Sequence, residues 1–386
     1  MAITPRVFTP PGGSYFLLGP RGSGKSTWLR QLHPDAHWID LLDEGRYQAY
    51  LVDPSLFSSE LDALEDRSTV VVDEIQRLPN LLNVIHQKIE AKRLRFALSG
   101  SSARKLRRSG VNLLAGRALM RRLHPYVPEE LGKAFHLSDV LDTGALPIIR
   151  AAEDRRDALS SYVHLYLKEE IQAEAATRNL AGFARFLPIA ALFHAQALNV
   201  SSLARDAGVA RTTVQGYLQI LDDTLFTFQV PAHEARLRVR EKHHPKLYWV
   251  DPGLVRAVAG ESGPPGPSAI GPLFEGWIAQ CLRAYNDYYG LYDTLTYWAP
   301  GEARHTEVDF LLRRGRRYVA IEVKAARRWR PDLAKGLRAI ADLEGLERRI
   351  VVYMGTQSLR PEAGIEVLPL ATFLDEARAG ALAPGS

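Results

Sequence analysis

Three groups of residues in this chain have types and spacings suited to phosphate chemistry. The first is Gly19-Pro20-Arg21-Gly22-Ser23-Gly24-Lys25-Ser26, which fits the phosphate-loop template G-x-x-x-x-G-K-[ST] at every fixed position. Gly19, Gly22 and Gly24 let the backbone turn its N–H groups toward phosphate oxygens, and a helix starting here adds positive potential. Lys25 is placed to reach the β- and γ-phosphates, and Ser26 to hold Mg²⁺. With Thr27 opening the helix, the expected ATP/ADP-binding set is Gly19, Pro20, Arg21, Gly22, Ser23, Gly24, Lys25, Ser26 and Thr27.

The second group is Asp73-Glu74, at the end of the apolar run Val70-Val71-Val72. A β-favouring run entering two carboxylates reads as a buried parallel strand that delivers acids at its C-terminal end. Asp73 is placed to hold Mg²⁺, and Glu74 to polarise an attacking water, which would make the site hydrolytic. Ser99, after the strand beginning at Arg95, is placed to sense the γ-phosphate, although small residues there also suit a tight turn.

The third group is Asp309, Glu322 and Lys324. Glu322 and Lys324 lie two apart in an apolar strand and so share a sheet face, and a turn at Arg313-Arg314-Gly315 can bring Asp309 beside Glu322. Two acids holding a metal and a lysine orienting water are what a Mg²⁺-dependent phosphodiesterase needs, and Glu275 on a preceding helix can complete the set.

The elements that must position these groups follow from apolar patterning. Tyr15–Leu18, His37–Leu42, Ser68–Ile75 and Arg95–Ser102 read as strands, with helices expected from Thr27 to Leu32, from about Ser58 to Glu65 and from Asn80 to Ala91. Residues from Pro125 to Leu187 are helical in pattern. Residues 200–221 read as short helix, Gly-containing turn and second helix, with Leu203, Ala204, Val209, Val214 and Leu218 facing inward; this is a helix-turn-helix signature. Leu225–Val230 and Lys246–Val250 read as two strands of a wing. On that reading Arg211, Thr212, Thr213 and Gln215 begin a DNA-recognition helix, while Arg236, Arg238, Arg240 and Lys242 contact phosphates. The competing reading is a winged helix with a purely structural or protein-binding role. The stretch Gly260–Gly271, rich in Gly and Pro, reads as a linker.

Composition sets the outer limits. The 386 residues suggest two or three domains, and 46% hydrophobic with 24% charged residues describe an ordinary globular chain. No apolar run approaches a membrane span, and the first residues lack the apolar core of a signal peptide. The single cysteine, Cys281, rules out an intramolecular disulfide, reads as a core residue and favours the cytoplasm. A net charge of +5 is compatible with nucleic acid without requiring it.

The segments GPRGSGKS, VVVDEIQ, ALSGSSARKL and LLAGRALMRRLHPY, in this order and spacing, resemble an AAA+ ATPase module of prokaryotic ATPases that carry a C-terminal domain of long-unassigned function. The resemblance implies a homo-oligomer, a hexameric ring with ring stacking as a further option, in which ATP is bound between neighbours and an arginine is supplied in trans. Arg117 matches the family's GR element and is the first candidate for that finger, with Arg104, Arg107 and Arg108 as alternatives. The third group resembles the PD-(D/E)xK nuclease core, with Glu275, Asp309, Glu322 and Lys324 in matching positions and Val308 in place of the proline.

The expected fold class is therefore α/β: a P-loop AAA+ core with a parallel sheet (1–125), a helical linker or lid (126–187), a winged helix (188–258), a Gly/Pro linker (259–271) and a PD-(D/E)xK nuclease-like domain (272–386). The expected function is a ring-forming ATPase that acts on DNA. The alternative is a nucleotide-gated switch whose C-terminal domain is a catalytically silent partner-binding module.

Overall fold

The computed structural model describes residues 4–101, 114, 116–167, 180–234, 243–301 and 306–385. The chain forms two compact units, one from Met1–Ala134, Leu146–Arg178 and Gln219–Phe226, the other from Phe135–Ala145, Asn179–Leu218 and Thr227–Ser386.

In the first unit the described strands β1 (Ser14–Leu18), β2 (His37–Asp40), β3 (Thr69–Asp73), β4 (Arg95–Gly100) and β5 (Ala118–Arg122) form a parallel sheet in the order β2-β3-β4-β1-β5. Parallel strands joined by helices are covered on both faces, which is why the inner strands read as unbroken apolar runs. Phe16, Ile39, Val70, Val72, Phe96 and Leu98 are buried with Leu82 and Ile85 from the helix Leu81–Lys92. Because β4 lies between β1 and β3, the phosphate loop, Asp73 and Ser99 all emerge at one edge of the sheet.

The helix expected from about Ser58 to Glu65 lies at Pro54–Asp62, and a helix over Glu44–Val52, absent from the sequence reading, precedes it. The break falls at Asp53-Pro54. The Asp53 carboxylate accepts from Ser55 N, and proline takes the first helical position, where its missing N–H costs nothing.

The second unit takes in the helix Leu180–Leu192, β6 (Gln196–Ala197), the helix Val200–Ala207, residues 211–218 of the helix Arg211–Asp223, β7 (Thr227–Val230) and β8 (Lys246–Trp249). The three strands pair antiparallel in the order β6-β8-β7. The Asn199 side chain caps the helix Val200–Ala207 by accepting from Ser202 N, and Gly208 ends it in the left-handed region at φ 63°. The first of these helices ends at Leu192, and Gln196 and Ala197 join the sheet edge.

The same unit holds β9 (Thr294–Trp298), β10 (Val308–Arg314), β11 (Arg317–Lys324), β12 (Leu346–Tyr353), β13 (Leu359–Glu362) and β14 (Ile365–Pro369), in the order β13-β14-β12-β11-β10-β9. Strands β9, β10 and β11 are antiparallel neighbours, while β12 pairs parallel with both β11 and β14. The long helix Pro267–Tyr289 precedes this sheet, so residues 267–271 are helical rather than part of a linker. Proline is tolerated at the first helical position, which the composition-based expectation of a linker overlooked.

His194 joins the two parts of this unit. Its Nδ1 accepts from Trp249 N on β8 at 3.1 Å, and a Cβ added at Gly276 of the long helix would lie 2.0 Å from its Nε2. Helix and imidazole therefore meet only because residue 276 is glycine. Residues 188–218 and 227–258 accordingly share a unit with residues 272–386.

Burial pushes the His194 imidazole down to about 3, so it stays neutral in the folded protein while the unfolded chain takes up a proton near pH 6.5. Between those values the unfolded state binds more protons, so stability is full above about pH 6.5 and is lost as pH falls toward 3. Melting temperatures measured across this range should fall more steeply for the wild type than for His194→Asn, which keeps an acceptor for Trp249 N. Parallel curves would clear His194 of the effect.

Candidate nucleotide site and acidic cluster

The phosphate loop runs from the end of β1 into the helix Lys25–Leu32. Gly22 and Gly24 have φ of 75° and 83°, a region that side chains disfavour. At Gly19 an added Cβ would lie 2.4 Å from the Leu123 carbonyl oxygen and 2.8 Å from Ser23 Oγ. Lys25 is buried, and its Nζ donates to the carbonyls of Gly19 at 2.8 Å and Pro20 at 3.2 Å. The Ser23 hydroxyl is buried without a hydrogen-bond partner among the described residues. No side chain caps the helix. A tight glycine cradle, an uncapped helix start, a lysine and an orphaned hydroxyl fit a triphosphate.

Across the sheet edge, Ser99 Oγ donates to Asp73 Oδ1 and accepts from Glu74 N at 3.3 Å. Glu74 sits in the left-handed region at φ 59°, an uncommon conformation for a residue with a side chain and one that occurs at functional sites. Its carboxylate accepts from Gln76 Nε2, which also donates to Ser101 Oγ at 3.1 Å. The buried Gln76 fits because residue 100 is glycine, whose added Cβ would stand 2.5 Å from Gln76 Oε1. Lys25, Asp73, Glu74 and Ser99 thus belong to one sheet edge, with Gln76 holding Glu74 in place.

Two further residues that sequence reasoning missed secure the loop. Arg6 Nε donates to Glu130 Oε1 at 3.0 Å, its Nη1 to the Ser23 carbonyl at 3.1 Å and its Nη2 to the His124 carbonyl. Both side chains are buried, and Glu130 also accepts from Val7 N and Val127 N. Burial pushes the Glu130 carboxyl up, and Arg6 opposes that shift. A buried arginine near the chain start and a buried glutamate in Val127-Pro128-Glu129-Glu130 carry no local signal of their partnership.

On its other side the loop meets the segment after Leu146. Ile148 N donates to the Gly22 carbonyl at 3.2 Å and the Tyr162 hydroxyl to the Arg21 carbonyl at 2.7 Å. Within the stretch 126–187, where a lid was expected, these bonds and Pro147 beside Gly24 approach the loop. Arg117 is ion-paired with Glu90 through its Nε. Arg104, Arg107 and Arg108 lie outside the described residues.

In the second unit, β10 and β11 pair with Phe310 opposite Ile321, which sets Asp309 across from Glu322. Asp309 Oδ2 accepts from Val323 N at 2.8 Å, and Lys324 Nζ lies 2.5 Å from Glu322 Oε1. Glu275 reaches the same place from the helix Pro267–Tyr289, but what joins it to Asp309 is Lys246, the first residue of β8. Lys246 Nζ lies 3.0 Å from Glu275 Oε1, 3.2 Å from Asp309 Oδ1 and 3.4 Å from Glu307 Oε2. The Tyr248 hydroxyl donates to the same Glu275 oxygen at 2.7 Å. Among the described residues, no three His, Cys, Asp or Glu side chains are arranged to hold a metal ion.

The electrostatics follow from burial. Burial pushes Glu275 up to about 7, Asp309 adding to it and Lys246 opposing it. Burial, with Asp309 beside it, likewise raises Glu322 well above the usual carboxylate range. Burial alone would pull the Lys246 ammonium down, but Glu275, Tyr248, Asp309 and Glu307 together hold it well above its ordinary value.

The helix Arg211–Asp223 exposes Arg211, Thr212 and Gln215 and leaves Thr213 half-buried, while Val214, Tyr217 and Leu218 are buried. Arg236, Arg238, Arg240 and Lys242 lie outside the described residues.

Comparison with known families divides the chain into three parts. Residues 12–132 match the AAA domain, so the first unit carries a P-loop nucleotide-binding core of the AAA type. Residues 134–264 and 270–373 match two domains of unknown function, DUF8612 and DUF4143. The chain is 28% identical over 352 residues to the uncharacterized proteins Rv2008c of Mycobacterium tuberculosis and Mb2031c of Mycobacterium bovis, covering 88% of this chain and 76% of each relative. Among solved structures it aligns with a Signal Transduction ATPase with Numerous Domains (STAND) protein bearing a tetratricopeptide repeat sensor, PH0952 of Pyrococcus horikoshii. That alignment has 14% identity and a TM-score of 0.24, covering 71% of this chain and 45% of that one. This chain thus spans less than half of that protein. It also aligns with protein VC1899 of Vibrio cholerae, at 14% identity and a TM-score of 0.22 over 97% and 99% of the two chains. No described helix is long and apolar enough to cross a membrane.

Removing Arg6 strands a buried glutamate and frees the Ser23 carbonyl. Arg6→Ala should cost the first unit about 3–5 kcal/mol and weaken nucleotide binding. Arg6→Lys should be intermediate, because a point charge cannot reproduce the three-way fork. Denaturant unfolding alongside nucleotide titration checks both. A loss below about 1 kcal/mol, the range of exposed pairs, would show that the strap is idle.

Proposed function

We propose that the chain is a Mg²⁺-dependent ATP hydrolase that acts on DNA as a homo-oligomeric ring in the cytoplasm. The observation that carries the hydrolytic part is the placement of Glu74. Its carboxylate is held by Gln76 at the same sheet edge as Asp73 and Ser99, beside the phosphate loop. Mg²⁺, when bound with ATP, supplies neutralisation of charge on the β- and γ-phosphate oxygens. Lys25 and the N–H groups of the loop would hold the phosphates, and Ser26 and Asp73 would hold the metal ion. Glu74 would orient a water and accept its proton, and Ser99 would report on the γ-phosphate by giving up its bond to Asp73. Arg117, now paired with Glu90, would serve a neighbouring subunit as the finger.

Two features support the DNA part. The order helix, strand, helix, helix, strand, strand across residues 180–249 supports the reading of a winged helix, with Arg211, Thr212 and Gln215 on the exposed face of its second turn-flanking helix. The helix Pro267–Tyr289, three antiparallel strands and a parallel β12, with Asp309, Glu322 and Lys324 on adjoining strands, support the reading of a PD-(D/E)xK nuclease-like core. In this reading the C-terminal domain engages DNA.

A second reading is a nucleotide-gated switch in which that domain is catalytically silent and binds a partner. The lodging of Lys246 between Glu275 and Asp309 favours it.

ATP turnover measured with single-stranded, duplex and branched DNA separates the two. Glu74→Gln should keep nucleotide binding and lose about 10²–10⁴-fold in kcat, whereas Lys25→Ala should lose binding. At least one DNA form should raise wild-type turnover, and an Arg211→Ala/Gln215→Ala variant should lose that stimulation. Turnover indifferent to every DNA form would leave the switch as the function.

A further inference from the structure

We infer that Lys246 Nζ is the resident cation of the C-terminal acidic cluster, holding the place a divalent metal ion would take, so that the cluster does not bind metal or hydrolyse phosphodiesters. This inference concerns the second unit alone and stands whether or not the chain acts on DNA.

The ammonium is enclosed by acids. Lys246 Nζ donates hydrogen bonds to Glu275 Oε1 and Asp309 Oδ1 and is ion-paired with Glu307 Oε2 at 3.4 Å. Its side chain is only 2% exposed, with the Tyr297 ring 5.4 Å away on another side. The facing oxygens are committed as well. Glu275 Oε1 accepts from both Lys246 and Tyr248, and Asp309 divides its two oxygens between Lys246 and Val323 N. The separations of 3.0 and 3.2 Å to Glu275 and Asp309 suit N–H···O bonds. They are about 1 Å longer than Mg–O bonds.

The chemistry of the occupant decides the function. A metal ion has open coordination positions for a phosphodiester oxygen and a water, and it lowers the pKa of that water. An ammonium offers neither. Lys324, the lysine a nuclease would use to orient water, instead lies 2.5 Å from Glu322 Oε1. Lys246 reaches this place because β8 pairs with β6 and β7, so the small sheet supplies the counter-charge of the large one.

Mn²⁺ binding to the full-length chain without nucleotide, followed by the EPR signal of free Mn²⁺, tests this. Wild type and Asp309→Asn should bind equally, since any Mn²⁺ at the phosphate loop is common to both. Lys246→Met should gain one site per chain, and Lys246→Met/Asp309→Asn should lose it. Lys246→Met strands a carboxylate, so Lys246→Met/Glu275→Gln, which removes one charge of each sign, provides a folded alternative. It should gain the same Asp309-dependent site with at least tenfold weaker affinity. A wild-type site abolished by Asp309→Asn would overturn the inference. So would folded Lys246 variants that gain no Asp309-dependent site.

Discussion

A charge taken into the interior of a protein must meet its counter-charge there, because the cost of stripping its water is several kcal/mol even after relaxation. Much of what is distinctive in this chain answers to that constraint. Arg6 and Glu130 satisfy it beneath the phosphate loop, and Lys246 satisfies it with three acids. In both cases the partners come from different elements, so the pairing fixes where those elements lie. The phosphate loop is rigid from both flanks, through Arg6 on the Ser23 carbonyl and Tyr162 on the Arg21 carbonyl. Such preorganisation matters for phosphoryl transfer, where positioning and electrostatics supply nearly all of the catalysis.

The sheet edge expresses a second, purely topological constraint. Parallel strands all end on the same side, so a chain that inserts β4 between β1 and β3 must bring the phosphate loop, the acids and Ser99 together. The direction of Glu74 is not given by topology. It is set by the left-handed backbone at that residue and by Gln76, which lies across the small surface left by Gly100. Strain and an amide partner together aim a carboxylate that would otherwise rotate freely at a strand end.

These facts explain which features were legible in the sequence. The phosphate loop, Asp73, Glu74 and the β10–β11 hairpin are short-range patterns whose chemistry depends on neighbours a few residues away, and each was read at the right element. The helical start at Pro267 was misread because proline stops a helix in one setting and opens it in another. Glu275 and Asp309 were expected to converge, and they do, but the cation between them was not foreseen. Lys246 lies 29 residues from Glu275 and 63 from Asp309, and a lysine at the head of Leu247-Tyr248-Trp249 reads locally as an ordinary strand start. The one available clue was its place in a strand whose every residue is buried, where an unpaired lysine would be intolerable.

The two lysines of the C-terminal cluster show how far a motif differs from a site. Lys324 sits where the motif requires it, on the strand of Glu322 and two residues away, yet its nearest charge is that same glutamate. Lys246 belongs to no motif and touches three carboxylates. A fold can keep the residues of a phosphodiesterase because they have become a buried ionic network, in which removing any one member would leave its partner exposed to the full desolvation cost. With Lys246 as the proposed resident cation, the acid–acid–lysine set serves packing between two sheets of one unit, and the proposed phosphate chemistry falls to the loop before the helix Lys25–Leu32.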